Sequence, residues 1–132
     1  MVKGVDHIGI LVRSLDETAK LYGDLFGAKL GEVKTVADQG VKVGMLSFPV
    51  GAKLELLEPL PNTRIAEALE KRGEGVQHIC FEVDKIDPEL ASLANKGVEL
   101  IDKKARRGVE GMVAFMHPKS LKGVLVELCE RV

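Results

Sequence analysis

The chain has no tryptophan, one tyrosine and four phenylalanines, too few rings to line a ligand trough with aromatics. Cysteine occurs only twice, and Cys80 and Cys129 each sit inside an apolar run without metal-ligand spacing. That excludes a disulfide framework and a thiolate metal site, and leaves two buried, reduced thiols. A formal net charge of -1 provides no field for a nucleic acid or a membrane surface. No long apolar stretch and no charged leader with an apolar core are present, so the chain reads as cytoplasmic. Also missing are a glycine-rich phosphate loop, a Ser/His/Asp arrangement and a nucleophilic cysteine. With 132 residues, 45% hydrophobic and 30% charged, what remains is one soluble globular domain over 1–132.

What the chain does have is a near repeat of itself. Val5-Asp6-His7-Ile8 opens one copy and Leu54-Glu55-Leu56-Leu57-Glu58 closes it; Val76-Gln77-His78-Ile79 and Val126-Glu127-Leu128-Cys129-Glu130 bound the other. The His-to-Glu spacing is 48 positions in the first copy (7 to 55) and 49 in the second (78 to 127). The patterning predicts the same order of elements twice. A strand over Val5–Val12 leads to a helix capped by Ser14, with Glu17 in the capping-box position and Gly27 as the stop. Strands over Ala28–Val36, Val41–Phe48 and Lys53–Pro59 follow. In the second copy come a strand at Val76–Val83 and a helix capped at Asp87 with Pro88 at its first position. Strands at Val98–Lys103, Gly111–His117 and Val124–Glu130 complete it. A linker helix from about Asn62 to Arg72 lies between. The expected fold is therefore α+β: two paired βαβββ modules, about 4–60 and 75–132, forming a curved eight-stranded sheet around a trough.

Each histidine or glutamate alone reads as an ordinary structural residue. All four at matching places of a duplicated module do not. Ionised carboxylates flanked by apolar residues are costly to bury unless paired or metal-bound. Related by a pseudo-twofold axis, His7, Glu55, His78 and Glu127 would converge on one divalent metal. Lys119, after His117-Pro118, and Arg106, in a basic stretch, are candidates for phosphate contacts. Gln39, before Gly40, is a candidate for orienting a substrate oxygen. By strand alternation Glu58 and Glu82 fall on the outer face.

These segments resemble the vicinal oxygen chelate superfamily, and within it the methylmalonyl-CoA epimerases. The narrower likeness is carried by Glu55-Leu56-Leu57-Glu58-Pro59, Phe115-Met116-His117-Pro118-Lys119 and Gly123-Val124-Leu125-Val126-Glu127-Leu128. The resemblance implies a homodimer, a CoA thioester substrate and a divalent ion on His7, Glu55, His78 and Glu127. Cobalt is favoured among Co, Mn, Ni, Zn, Fe and Mg. It implies epimerisation of (R) and (S) methylmalonyl-CoA by loss and return of the α-proton through a metal-stabilised enolate. Two features depart from the family pattern: Gln77 stands where epimerases often have a second histidine, and Val43 stands where some carry a glutamate regarded as a base. With Val43 inert, Glu55 and Glu127 become the expected acid–base pair, one for each face of the substrate. The alternatives are a lactoylglutathione lyase, which shares the His/Glu set, and a metal-free ligand-sequestering resistance protein, which the scarcity of aromatics opposes.

Overall fold

The computed structural model describes residues 1–131. Among them are eight strands and three α-helices: β1 Val2–Leu11, α1 Leu15–Phe26, β2 Lys29–Val36, β3 Val41–Ser47, β4 Lys53–Pro59, α2 Arg64–Arg72, β5 Gly75–Val83, α3 Ile86–Asn95, β6 Arg106–Arg107, β7 Gly111–Met116 and β8 Val126–Arg131. The α+β class and the βαβββ order, twice over with α2 as linker, are those the sequence predicts. In space the residues gather into two compact units, one of Ile8–Gln77 and one of Met1–His7 together with the chain from His78 onward. No described helix is long and apolar enough to cross a membrane.

In the unit of Ile8–Gln77, β2, β3 and β4 form antiparallel ladders, with Val43 opposite Leu57 and Met45 opposite Glu55. Because side chains alternate along a strand, the two faces of this sheet have different partners. One face packs Leu46 and Leu56 against Leu15 of α1. The other packs Val41, Val43, Leu57 and Leu11 against Leu69 of α2. Helix α1 starts where expected, the Ser14 hydroxyl accepting from the Glu17 N–H, and stops at Gly27 with φ 74°. Only part of its apolar set is buried: Leu15, Ala19 and Tyr22 pack inward, whereas Leu21, Leu25 and Phe26 are exposed.

In the other unit β5 runs parallel to β8, which pairs antiparallel with β7; Glu127 thus lies opposite both Cys80 and Phe115. Leu128, Val126, Ala114 and Met116 pack against Ile86 and Leu90 of α3. The opposite face carries Cys80, Val113 and Cys129.

Two elements differ from expectation. The strand predicted over Val98–Lys103 is reduced to a single bridge at Leu100, and β6 forms only at Arg106–Arg107. The Asp102 side chain takes the Phe115 N–H at 2.8 Å, so a carboxylate replaces the backbone acceptor that a continuous strand would provide. Helix α3 begins at Ile86, ahead of the predicted cap Asp87, and Lys85 provides no side-chain cap. Instead the Glu130 carboxylate reaches from β8 to the Ile86 N–H at 2.8 Å. Glu58, on the last strand of the first module, does the same for the Leu15 N–H of α1 at 2.8 Å. The repeat therefore extends to a pair of strand-borne helix caps, and Glu58 is not an idle surface residue.

Candidate metal centre

Strand β5 directs His78 and Cys80 to the face of the sheet turned away from α3, and β8 places Glu127 on the same face. His7, near the end of the β1 segment in this unit, joins them. His7 Nε2 and His78 Nε2 stand 3.2 Å apart, and Glu127 Oε1 is 3.1 Å from each. The two rings are nearly perpendicular, at 88°, and His7, His78 and Glu127 are 5%, 3% and 8% exposed. Donors bound at about 2.1 Å to one ion and separated by tetrahedral or octahedral angles lie about 3.0–3.4 Å from one another. The triangle matches that spacing, and its nitrogen and carboxylate donors suit a divalent first-row metal. Burial works against ionisation of Glu127, but its contacts with His7 and His78 outweigh it and lower its pKa to about 2. The carboxylate is thus held as an anion.

Around this triangle the polar groups are paired. Asp6 Oδ2 accepts from His7 Nδ1 at 2.7 Å, and Arg131 grips the same carboxylate with two bonds, Nε to Oδ1 at 2.7 Å and Nη2 to Oδ2 at 2.8 Å. Burial opposes the Asp6 charge, yet the bonds from His7 and Arg131 hold its carboxyl well below the usual carboxylate range. Cys80, with Sγ within 4.8 Å of donor atoms of both His7 and Glu127, is fully buried. Its contact with Cys129, together with burial, pushes its thiol pKa up, so it is no nucleophile. Both cysteines are free and buried, as the sequence predicts.

Of the remaining candidates, Glu55 sits on β4 opposite Met45, the register position that Glu127 occupies opposite Phe115 on β8. It is half-buried. Arg106 lies with its guanidinium 5.7 Å from the centre of the Phe115 ring, and that ring stands edge-on to His78 at 5.4 Å. Its Nε is 3.4 Å from Asp102 Oδ1. Lys119 is 72% exposed and pairs with Glu99 at 3.1 Å, while its N–H donates to His117 Nδ1. Gln39 is exposed at the end of a short turn, Ala37–Gln39, before β3. Gly40 is held at φ 70°, where a Cβ would come within 2.9 Å of Thr63. Val43 is buried against Leu11, Leu57 and Leu69, so that point of β3 carries no titratable group.

A family model, the glyoxalase/bleomycin resistance protein/dioxygenase superfamily, matches residues 6–115. The ethylmalonyl-CoA/methylmalonyl-CoA epimerase of Cereibacter sphaeroides is 36% identical over 132 residues, covering 97% of this chain and 98% of the relative. The chain belongs to the methylmalonyl-CoA epimerase family of that superfamily. Family membership makes it an enzyme of the epimerase class. YqjC of Bacillus subtilis, an uncharacterized protein, is 40% identical over 129 residues, 96% of this chain and 91% of the relative. Among solved structures, a variant of Streptomyces coelicolor methylmalonyl-CoA epimerase in complex with 2-nitronate-propionyl-CoA superposes with a TM-score of 0.93. It is 34% identical, with 100% of this chain and 99% of that one covered.

Asp6, Arg131 and the caps Glu58 and Glu130 are absent from the sequence-predicted set. The caps had a signal, since they end the two matching Glu-x-x-Glu segments. Asp6 had none, because neighbouring side chains in a strand are expected on opposite faces.

Proposed function

We propose that this epimerase interconverts the (R) and (S) forms of methylmalonyl-CoA in a metal-dependent reaction, using His7, Glu55, His78 and Glu127 as ligands. The observation that carries the reading is the buried triangle of His7, His78 and Glu127, with donors 3.1–3.2 Å apart, in a chain of the epimerase family. The equivalence in strand register of Glu55 and Glu127 supports Glu55 as the fourth ligand. When bound, a divalent ion supplies Lewis-acid stabilisation of the negative charge that develops on the thioester oxygen; cobalt is our preferred ion.

The chain's own residues then have to remove a proton from one face of the α-carbon and return one to the other. Glu55 and Glu127, from equivalent strands of the two modules, are assigned as that pair, each taking or giving the proton at a carboxylate oxygen. Burial of Val43 in the apolar cluster under α2 removes the nearest competitor for the role on β3. The imidazoles of His7 and His78 hold position as ligands. Gln39 is assigned to a substrate oxygen, and Arg106, beside Phe115, to the phosphates of the CoA tail. Lys119 would exchange its partner Glu99 for a CoA phosphate. We place the enzyme in the cytoplasm, in keeping with its two free thiols, and as a homodimer, the assembly that the family resemblance implies.

The deciding experiment is deuterium incorporation at the α-carbon of methylmalonyl-CoA in D₂O, with and without a chelator. Rapid exchange that the chelator abolishes, and that added cobalt restores, is expected. No exchange by metal-loaded protein overturns the assignment.

A further inference from the structure

The two histidines of the triangle occupy matching places in the repeat, but their surroundings differ. His7 follows an aspartate and His78 follows Gln77. Asp6 Oδ2 lies 2.7 Å from His7 Nδ1, and the Asp6 side chain is only 7% exposed. On the far side of that carboxylate Arg131 makes its two bonds at 2.7 and 2.8 Å, and Glu110 pairs with Arg131 in turn. Arg131 lies opposite Gly111 on β7, where the first module has Pro59 opposite Val41; no guanidinium is available there. At Gly111 a Cβ would stand 2.2 Å from the Glu130 carbonyl oxygen. Only glycine lets β7 pass β8 so closely, and that passage keeps Glu110 beside Arg131. Four residues from two strands and a loop thus form one line: Glu110, Arg131, Asp6, His7.

A carboxylate on Nδ1–H fixes an imidazole in the tautomer whose Nε2 lone pair is bare, and it raises the basicity of that nitrogen. Nε2 of His7 is the atom at the triangle. We infer that Asp6, clamped by Arg131, is a positioning residue that orients His7 for metal binding, so that the end of β8 helps set metal affinity. The inference rests on the metal reading above and adds to it a residue pair outside the ligand set.

The test is the affinity of the purified protein for cobalt(II) alone, measured by competition with a chromophoric chelator, together with its visible ligand-field spectrum and the thermal midpoint of the metal-free form. Asp6→Asn removes the charge while keeping size, and the dissociation constant should rise about 10–100-fold, with a changed cobalt spectrum. Arg131→Gln should weaken binding in the same direction and Arg131→Lys should recover part of it. In the Asp6→Asn background Arg131→Gln should add little, because both act through one contact. A lower thermal midpoint with dissociation constants within about twofold of wild type shows a merely structural ion pair and overturns the inference. If Asp6→Asn does not fold, the two Arg131 variants decide: affinity unchanged in both overturns it. Wild-type protein that binds no cobalt overturns the metal reading, and this inference with it; binding by wild type and an equally tight Asp6→Asn overturns this inference alone.

Discussion

Replacing Glu130 by alanine should destabilise the protein more than the same change at Glu58, and neither should alter metal affinity. Both carboxylates accept the first free N–H of a helix at 2.8 Å, Leu15 for α1 and Ile86 for α3. Those residues are 0% and 2% exposed, so water cannot readily replace the lost acceptor. A hydrogen bond to a charged group contributes about 1.5–3 kcal/mol, and an anion at a helix N-terminus about 0.3–1 kcal/mol more. Partial solvent access to the glutamates reduces the sum, giving about 2 kcal/mol for Glu130. Helix α1 has a second cap, the Ser14 hydroxyl on the Glu17 N–H at 3.2 Å, whereas Lys85 gives α3 none. Glu58→Ala should therefore cost about half as much, ~1 kcal/mol, in line with the usual value of one cap. Each kcal/mol corresponds to about 3–5 °C in a domain of this size. Urea unfolding reads the effect as a shifted midpoint at constant slope. Equal losses, or losses under about 0.5 kcal/mol in both variants, would refute the argument. Metal affinity stays constant because Glu130 lies three residues from Glu127, and Glu58 three from Glu55, on the opposite faces of their strands.

Three further outcomes are expected. Glu55→Gln and Glu127→Gln should keep measurable metal, since an amide oxygen still donates, but lose most epimerisation; each should exchange the α-proton of one substrate epimer better than the other, in opposite senses, by mass spectrometry in D₂O. Near-normal turnover in Glu55→Gln would reduce Glu55 to a ligand. Lys119→Ala should raise KM for the CoA thioester more than it lowers kcat, an effect that shrinks with added salt because the lysine is exposed; an unchanged KM leaves Lys119 as the partner of Glu99 only. Cobalt added at about a hundred times its dissociation constant should stabilise the protein by ~2.7 kcal/mol, reversed by chelator, and the absence of any shift in midpoint would contradict specific binding to the folded state.

Much of this was legible in the residues because it depends on local chemistry or on the repeat. Ser14 announces its helix and accepts the expected N–H bond. His7, His78 and Glu127 were singled out by symmetry and meet in space. The errors share a different origin: each is a side-chain contact to a group distant in sequence. Asp102 cut short a strand whose β-branched and apolar residues looked regular, and Glu130 moved the start of α3 ahead of the aspartate that patterning selected. Arg131 pairs with Asp6 across almost the whole chain length, and no periodicity encodes such a contact. Glu58 lies on the face that alternation assigns it, but alternation does not say what waits there.

Duplication accounts for the proposed ligands but not for the asymmetry around them, and the proposed reaction gives a reason for both. Inverting a carbon by proton exchange treats its two faces alike, so two equivalent carboxylates from two equivalent modules match the chemistry. A CoA thioester, in contrast, has a single tail and a single carbonyl, and a perfectly symmetric site would bind it in two opposed orientations. Departures from the repeat provide the direction. Phe115 and the Asp6–Arg131 pair belong to one unit, and other residue types stand at the matching places of the other: Met45 for Phe115, Pro59 for Arg131, Gln77 for Asp6 by register and sequence. The proposed enzyme thus uses its matched residues for proton transfer and its unmatched ones for orientation. Grafting symmetry back, by Phe115→Met or Asp6→Gln, should therefore impair substrate binding or metal affinity before it impairs proton exchange in enzyme saturated with both.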